Sequence, residues 1–470
     1  MQQKNILKPF ITLLSLSLIV IAWCNQLYSW RLFDVAPSAF FTLSIFVTSV
    51  LLWLFVAIDW TSLLTLLLLS LVPELSLTKV FQSSFGHQTF IFLLLTFIVT
   101  YALNQTPFLK RITHKLLMNS LAQHSPFHFL VCFLSAVLFL SAFLSPTITF
   151  MFLFPLYEEL MIQFGWQKGD KKASYILIAM FSTIALGTAM TPINHVFSVT
   201  AMSIYQEATQ THISSTQYMA MAIPTGLIIF CALLVSLKRL KLTYTGNITL
   251  QALDHLPKVS KQEKWIVSIF VMMIVLWIAP ELLSQMKIDL ALPPLLATII
   301  LSSVKVDGKP LVHLQKAISK GVHWQSLFLV GATLSLGSAL SNAKVGVITL
   351  VEQVFSPIFN HISPLMLIAC FIVWAGLQTN FTSNLVTVSF VTTLLTTVHV
   401  PHVHFAVLAC LMGFMSSFAV MSAPAMPYVA ISIGSEWTNT KDCLKYGGLL
   451  LLLTILAAIL IAYPLGTLFM

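Results

Sequence analysis

Four short polar interruptions stand inside long apolar stretches of this 470-residue chain. They read Ser145-Pro146-Thr147, Thr191-Pro192-Ile193-Asn194, Ser383-Asn384-Leu385 and Ser422-Ala423-Pro424-Ala425-Met426-Pro427. The residue types suit helix starts. A serine or threonine side chain can cap free backbone N–H groups, and proline is tolerated at the first helical position because it has no N–H to leave unpaired. Ser145 is therefore expected at an N-cap followed by Pro146, Thr191-Pro192 as a second instance, and Ser383 as the cap of another helix. A helix N-terminus carries unpaired donors and positive partial charge. Several of them converging would bind an anion without Lys or Arg, and the interrupted regions contain neither. Hydroxyls and amides of Thr147, Asn194, Thr379, Asn380, Thr382, Ser383, Asn384 and Thr387 can add hydrogen bonds.

Other chemistry-bearing residues are weighed beside these. His195 follows Asn194 at a break, and a histidine inside a membrane span is a candidate for function. It would add charge beside a dianion or replace a missing cation; the plainer reading is a neutral ring bonded to a nearby carbonyl. Glu158-Glu159 reads as an interfacial pair, with a proton-carrier role as the alternative. His399, His402 and His404 cluster without an acidic or cysteine partner, so a metal site is not expected. No HExxH, GxSxG or paired catalytic aspartate occurs, which argues against an enzyme.

The elements that must position these residues are membrane helices. The chain is 58% hydrophobic and 8% charged, far from the balance of a soluble domain. The basic excess (net charge +9) needs no nucleic acid, because Lys and Arg collect in cytoplasmic loops. Six cysteines are scattered, with no CxxC pair. An all-α polytopic protein is expected, with about eleven spans: one from Pro9, then 38–58, 61–77, 87–105, 174–206, 216–237, 265–285, 290–304, 324–341, 403–434 and 446–466. Stretches 127–166 and 364–398 are too long for one helix and are expected to be re-entrant hairpins, opening from inside and outside respectively. With the N-terminus cytoplasmic and the C-terminus outside, this layout puts 20 of the 24 Lys and Arg residues inside. The basic segment around Lys110 and Arg111 is expected to touch lipid headgroups. FLLLTFIVTYAL (92–103) and FLVGATLSLGSAL (328–340) share Ala-Leu at an offset of 237, and the hairpin interruptions follow at an offset of 238. The order of features predicts two inverted repeats, with a site at their interface.

At these residues the chain resembles the divalent anion/sodium symporter (INDY-like) family. The resemblance rests on Thr379-Asn380-Phe381-Thr382-Ser383-Asn384, on Ser145-Pro146-Thr147 leading to Pro155, on Gly187-Thr188 to Pro192-Ile193-Asn194, and on the Trp324–Leu340 stretch. It implies a homodimeric elevator transporter of C4/C5 dicarboxylates, tricarboxylates or sulfate. Residues 1–123 and 265–358 would form the scaffold, 124–240 and 359–470 the transport unit, and 241–264 a cytoplasmic linker. The resemblance implies substrate contacts from Ser145, Pro146, Thr147, Asn194, Thr379, Ser383, Asn384 and Leu385. Thr191, His195, Thr382 and Pro427 would serve an ion or compensate charge. Pro146 replaces an Asn of the family motif, Leu385 a Thr, and Tyr428 stands near an expected Asn. These losses fall on side chains that would bind substrate or hold sodium, the one ion that the resemblance implies. Anion exchange is therefore the expected mode. Sodium symport, arsenite transport and sodium/proton transport are the alternatives.

Overall fold

The computed structural model describes residues 2–193, 195–240, 256–283, 289–347, 349–350, 362–398, 400–422 and 426–470. Asn194, His399 and the 423–425 segment, all singled out above, lie outside them. In the first half the helices are α1 Gln2–Tyr28, α2 Pro37–Phe55, α3 Trp60–Leu69, α4 Leu77–Ser83, α5 Gln88–Asn104, α6 Phe108–Leu117, α7 Pro126–Ser141, α8 Pro146–Gln163, α9 Lys171–Met190, α10 Val196–Thr209 and α11 Ser215–Lys238. The second half holds α12 Lys261–Leu283, α13 Leu292–Ser303, α14 Leu314–Lys320, α15 Trp324–Ser341, α16 Pro364–Phe381, α17 Asn384–Leu395, α18 Phe405–Ser416, α19 Pro427–Gly434 and α20 Thr440–Phe469. One two-residue ribbon, Lys305–Val306 against Lys309–Pro310, turns at Asp307-Gly308, both at positive φ.

Among the described residues, six helices are long and apolar enough to cross a membrane: Lys8–Tyr28, Pro37–Phe55, Lys171–Met190, Ser215–Lys238, Pro364–Phe381 and Thr440–Phe469. A seventh would be α4 with α5, bent by 50°. The expectation of eleven full crossings is thus too simple. Trp60–Leu69 and Leu292–Ser303 are only 10 and 12 residues, and at about 1.5 Å per residue they fall short of a hydrocarbon core of about 30 Å. Stretch 174–206 is α9 and α10 in series, and 403–434 is α18 and α19.

At both expected hairpins two helices join across a short break. The first runs α7 to α8, the second α16 to α17 with only Thr382 and Ser383 between the arms. Their first arms start alike. Ser125 caps α7 by accepting from His128 N, with Pro126 next. Ser363 caps α16 by accepting from Met366 N, with Pro364 next. The two caps lie 238 residues apart, as do Ser145 and Ser383 at the second arms.

Helix packing sorts into two groups. α1–α5 and α12–α15 pack among themselves, and so do α7–α11 and α16–α20. The groups meet chiefly where α15 lies against α10 and α17. In the second group, α9 is buried from Ala173 to Met190 except at Tyr175. By contrast α1 exposes Leu13, Leu14, Val20 and Ile21, as a lipid-facing helix must. Amphipathic α6 departs from expectation at Arg111, whose Nε bonds Glu263 Oε1 at 2.8 Å. Glu263 is buried there, so this guanidinium ties α6 to α12 rather than meeting headgroups.

Candidate functional site

At the first hairpin tip the backbone behaves as the sequence predicts. Ser145 is the N-cap residue of α8, Pro146 follows at the first helical position, and Thr149 N bonds Ser145 O at 3.0 Å. The side chain of Ser145 makes no capping bond. Neither the Ser145 nor the Thr147 hydroxyl has a partner among the described residues, so both remain available to a ligand. Ser383 likewise occupies the N-cap of α17 without a side-chain cap, and Thr387 N bonds Ser383 O at 2.9 Å. Pro427 opens α19, with Met426 at the cap.

Thr191-Pro192 does not start a helix. Thr191 ends α9 in extended backbone, and α10 begins only at Val196, with His195 at its N-cap. The reason is tertiary. Thr191 Oγ1 donates to Ala142 O at the first hairpin tip instead of capping its own chain. His195 Nε2 lies 2.8 Å from Ser141 O. A carbonyl can only accept, so this nitrogen carries the proton. The ring is buried, with this nitrogen committed to a neighbouring carbonyl.

Ser145, Pro146, Thr147, His195, Leu385 and Met426 border one cavity of about 380 Å³, whereas Ser383, Thr191 and Pro427 do not line it. The first turns of five helices line it: Pro146, Thr147 and Ile148 of α8, Val196 and Phe197 of α10, Ser326 of α15, Leu385 of α17, and Met426 at the cap of α19. Each contributes free N–H groups and positive partial charge. No lining residue is acidic, and Lys320 is the one Lys or Arg. The size lies within the range of small-molecule sites, about 300–1,000 Å³.

Further polar residues of the lining were not singled out by sequence, among them Asn104, Gln105, Lys320 and His323. The signal for the first two was the repeat itself, since Asn104 directly follows the Ala102-Leu103 match. Lys320 and His323 gave no such signal. They reach the cavity because the turn between α14 and α15 runs close to α5. A Cβ on Gly321 would stand 2.6 Å from Tyr101 Cβ, so only glycine allows that approach.

Other expected site residues lie beside the cavity, not on it. Asn380 is fully buried and spends its whole amide on structure. Nδ2 donates to Gly376 O (2.7 Å) and Phe418 O (2.8 Å), while Oδ1 accepts from Val420 N and Met421 N, both at 2.8 Å. Thr379 Oγ1 and Asn384 Nδ2 each donate to Ser416 O at 2.9 Å. Asn384 Oδ1 is buried without a partner, an acceptor left open behind the cavity wall. Thr382 Oγ1 bonds Gln378 O. Glu158 accepts from Trp437 Nε1, which fits its interfacial reading. Among the described residues no cluster of three His, Cys, Asp or Glu could hold a metal.

A second cavity lies at the opposite ends of α5 and α15, lined by α4, the end of α10 and the Asn342 end of α15. There His87 Nε2 stands 3.5 Å from Glu207 Oε2. Thr89 and Ser203 hydroxyls bond nearby, again joining α5 to α10.

Residues 44–419 match the family described as citrate transporter. The chain belongs to the citrate transporter family. It is 26% identical over 452 residues to the sodium-dependent dicarboxylate transporter SdcS of Staphylococcus aureus, in strain USA300 and equally in strain COL, covering 89% of this chain and 85% of that one. The fold is similar to that of the YdaH transporter of Alcanivorax borkumensis. The TM-score is 0.56 at 12% identity, over 81% of this chain and 87% of the other. Family and relatives are all transporters, so the protein is an integral membrane transporter and not an enzyme. The resemblance read from the hairpin motifs is borne out by the family match and by SdcS.

Proposed function

We propose that the protein is a secondary transporter of C4/C5 dicarboxylates of the succinate, malate, fumarate or 2-oxoglutarate type, held by the helix ends at the first hairpin tip. The observation that carries this is the cavity of about 380 Å³ bordered by five helix N-termini and no acidic side chain. Such a site suits a small dianion without a buried arginine. Ser145 and Thr147 offer free hydroxyls, and Lys320 stands exposed at the mouth.

The cavity opens at the Lys320 end. The bias of basic residues assigns that end to the cytoplasm, with the N-terminus inside and the C-terminus outside, in the plasma (inner) membrane. The arrangement is then inward-facing. The first helix group acts as scaffold and, in a homodimer, as the dimer surface; the second moves as an elevator. Supporting this, α15 meets α10 and α17 through a helix rich in Gly, Ala and Ser, which offers little to interlock. The second cavity at the other end would be the counterpart vestibule.

Exchange is the proposed mode. At the first hairpin tip the Ser141 and Ala142 carbonyls already accept from His195 and Thr191, which disfavours their use by sodium, and Pro146 and Leu385 bring no side-chain oxygen. The second reading, sodium symport, is favoured by the likeness to SdcS, and the open Asn384 Oδ1 suits it. Proteoliposomes decide between them. Exchange predicts labelled succinate uptake that needs internal dicarboxylate and persists when potassium replaces sodium. Rapid uptake into empty vesicles that is abolished by potassium replacement would establish symport. No uptake of any dicarboxylate in either format would overturn the substrate reading.

A further inference from the structure

A third cavity, of about 450 Å³, lies far from the hairpin tips, between α9, α11 and α20. Its mouth carries Lys171 and Lys172 from the first turn of α9 and Arg239 just past α11. Its walls are Leu233, Leu449 and Leu453, and no acidic residue lines it. Lys172 Nζ sits 5.9 Å from the Trp166 ring. Among the described residues Lys171 and Arg239 have no ion-pair partner. Behind them the floor is fixed: Tyr175 OH bonds Ser236 Oγ at 2.7 Å, and its ring packs 4.8 Å from Tyr446. Tyr446 belongs to a π turn, Cys443–Gly447, at the head of α20. That turn brings Lys445 over the Tyr446 ring at 5.1 Å, adding positive charge beside the mouth. The apolar wall continues onto exposed surface, with Leu449, Leu452 and Leu456 of α20 all open.

The groove therefore has two ends of different chemistry. One is cationic, and the other runs into surface that must face acyl chains. We propose that it binds an anionic phospholipid, with the headgroup phosphate between Lys171, Lys172 and Arg239 and one acyl chain along Leu233, Leu449 and Leu453. A free inorganic anion satisfies only the cations and leaves the leucine wall uncovered. A zwitterionic lipid covers the wall but places a quaternary ammonium among three cations. An anionic diacyl lipid matches both ends. Arg239 can grip phosphate oxygens bidentately, and basic grooves between membrane helices on the cytoplasmic side are suited to such headgroups.

The test uses the full-length protein in detergent and reads bound lipid by native mass spectrometry during titration with phosphatidylglycerol or phosphatidylcholine. Wild type should prefer phosphatidylglycerol by about tenfold or more, at roughly one kcal/mol per basic residue near the headgroup. A K171Q/R239Q variant should lose most of that preference and leave phosphatidylcholine binding unchanged. Lys168→Gln, on the same face but outside the groove, should behave as wild type. Ala232→Trp fills the groove with its charges intact and should also weaken phosphatidylglycerol binding, which keeps the test decisive if the double variant misfolds. Millimolar inorganic phosphate should not displace the lipid. Equal binding of the two lipids, an equal loss in Lys168→Gln, unaltered binding in Ala232→Trp, or displacement by inorganic phosphate would each overturn the proposal.

Discussion

Asn380→Ala should destabilise the protein far more than any other change near the hairpin tips. The side chain lies fully buried and joins the second hairpin to the 417–422 segment, where α18 has ended and α19 has not begun. Removing it strands the N–H groups of Val420 and Met421 and the carbonyl of Phe418. An unpaired buried N–H costs about 1–3 kcal/mol; Val420 N bears that in full and the partly buried Met421 N adds less. A second bond across the same seam, from Ser422 Oγ to Asn380 O, survives the change but holds a chain that has lost its anchor. A typical folded domain is stable by only about 5–15 kcal/mol, so the loss consumes much of the margin. Asn384→Ala is the contrast. It removes one bond, to Ser416 O, which still accepts from Thr379, and should cost about 0.5–1.5 kcal/mol. Melting of both variants in detergent, followed by tryptophan fluorescence, separates them. If Asn380→Ala melts with wild type, or if the two variants melt together, the division between a structural Asn380 and a site-proximal Asn384 is wrong.

Thr147→Ala should melt near wild type, since its hydroxyl has no partner, yet lower dicarboxylate uptake at sub-saturating substrate by about tenfold, as expected for one hydrogen bond to a charged ligand. Asn384→Ala should also lower uptake; wild-type rates in both would refute their placement at the site. Lys320→Gln should reduce uptake about threefold at low ionic strength and much less at high salt, because an exposed charge steers and is screened; a salt-independent loss would point to direct contact. Glu207, at the end of α10, has its carboxyl held below the ordinary value of 4.5, mainly by its hydrogen bond with His87 and further by Ser338, against burial. A depressed carboxyl contributes stability above its ordinary value and loses it as pH falls through the lowered one. Wild-type melting should therefore drop on acidification below about pH 4.5, and Glu207→Gln should flatten that part of the profile.

How much of this was legible in the sequence depends on where each determinant sits. The helix breaks at Ser145 and Ser383 were, because polar residues cannot interrupt apolar stretches at membrane depth without lining or packing against something. The helix starts at Pro146 and Pro427 were also legible, since capping is local chemistry. Thr191 was not. Its type and its proline neighbour are those of a cap, but the hydroxyl reaches Ala142, 49 residues away, and a tertiary partner overrode the local pattern. The same holds for Asn380, which looks like a ligand in sequence and is a brace in the fold. Lys320 and His323 were hidden for the opposite reason: they lie in an ordinary basic loop, and only the close pass of Gly321 against Tyr101 brings them to the cavity. Short helices such as α3 and α13 were read as full spans because hydropathy reports composition and not length.

The two breaks are wired differently, and this bears on what each can bind. At the first, side chains from the broken span, Thr191 and His195, donate into the hairpin carbonyls. At the second, Thr379, Asn380 and Asn384 donate from the hairpin into the broken span, while Val420 N, Met421 N and Ser422 Oγ donate back to Asn380. In both cases the carbonyls that would otherwise face inward are occupied by neutral protein donors. An ion that used them would have to displace those bonds and repay their loss. A dianion needs only the helix N-termini, which are left unfilled by side-chain caps at Ser145, His195, Ser383 and Met426 alike. Helix starts at the cavity are thus left open, while several nearby carbonyls already have donors. That arrangement suits an anion at the helix starts, and the open Asn384 Oδ1 is the acceptor that a companion cation would seek.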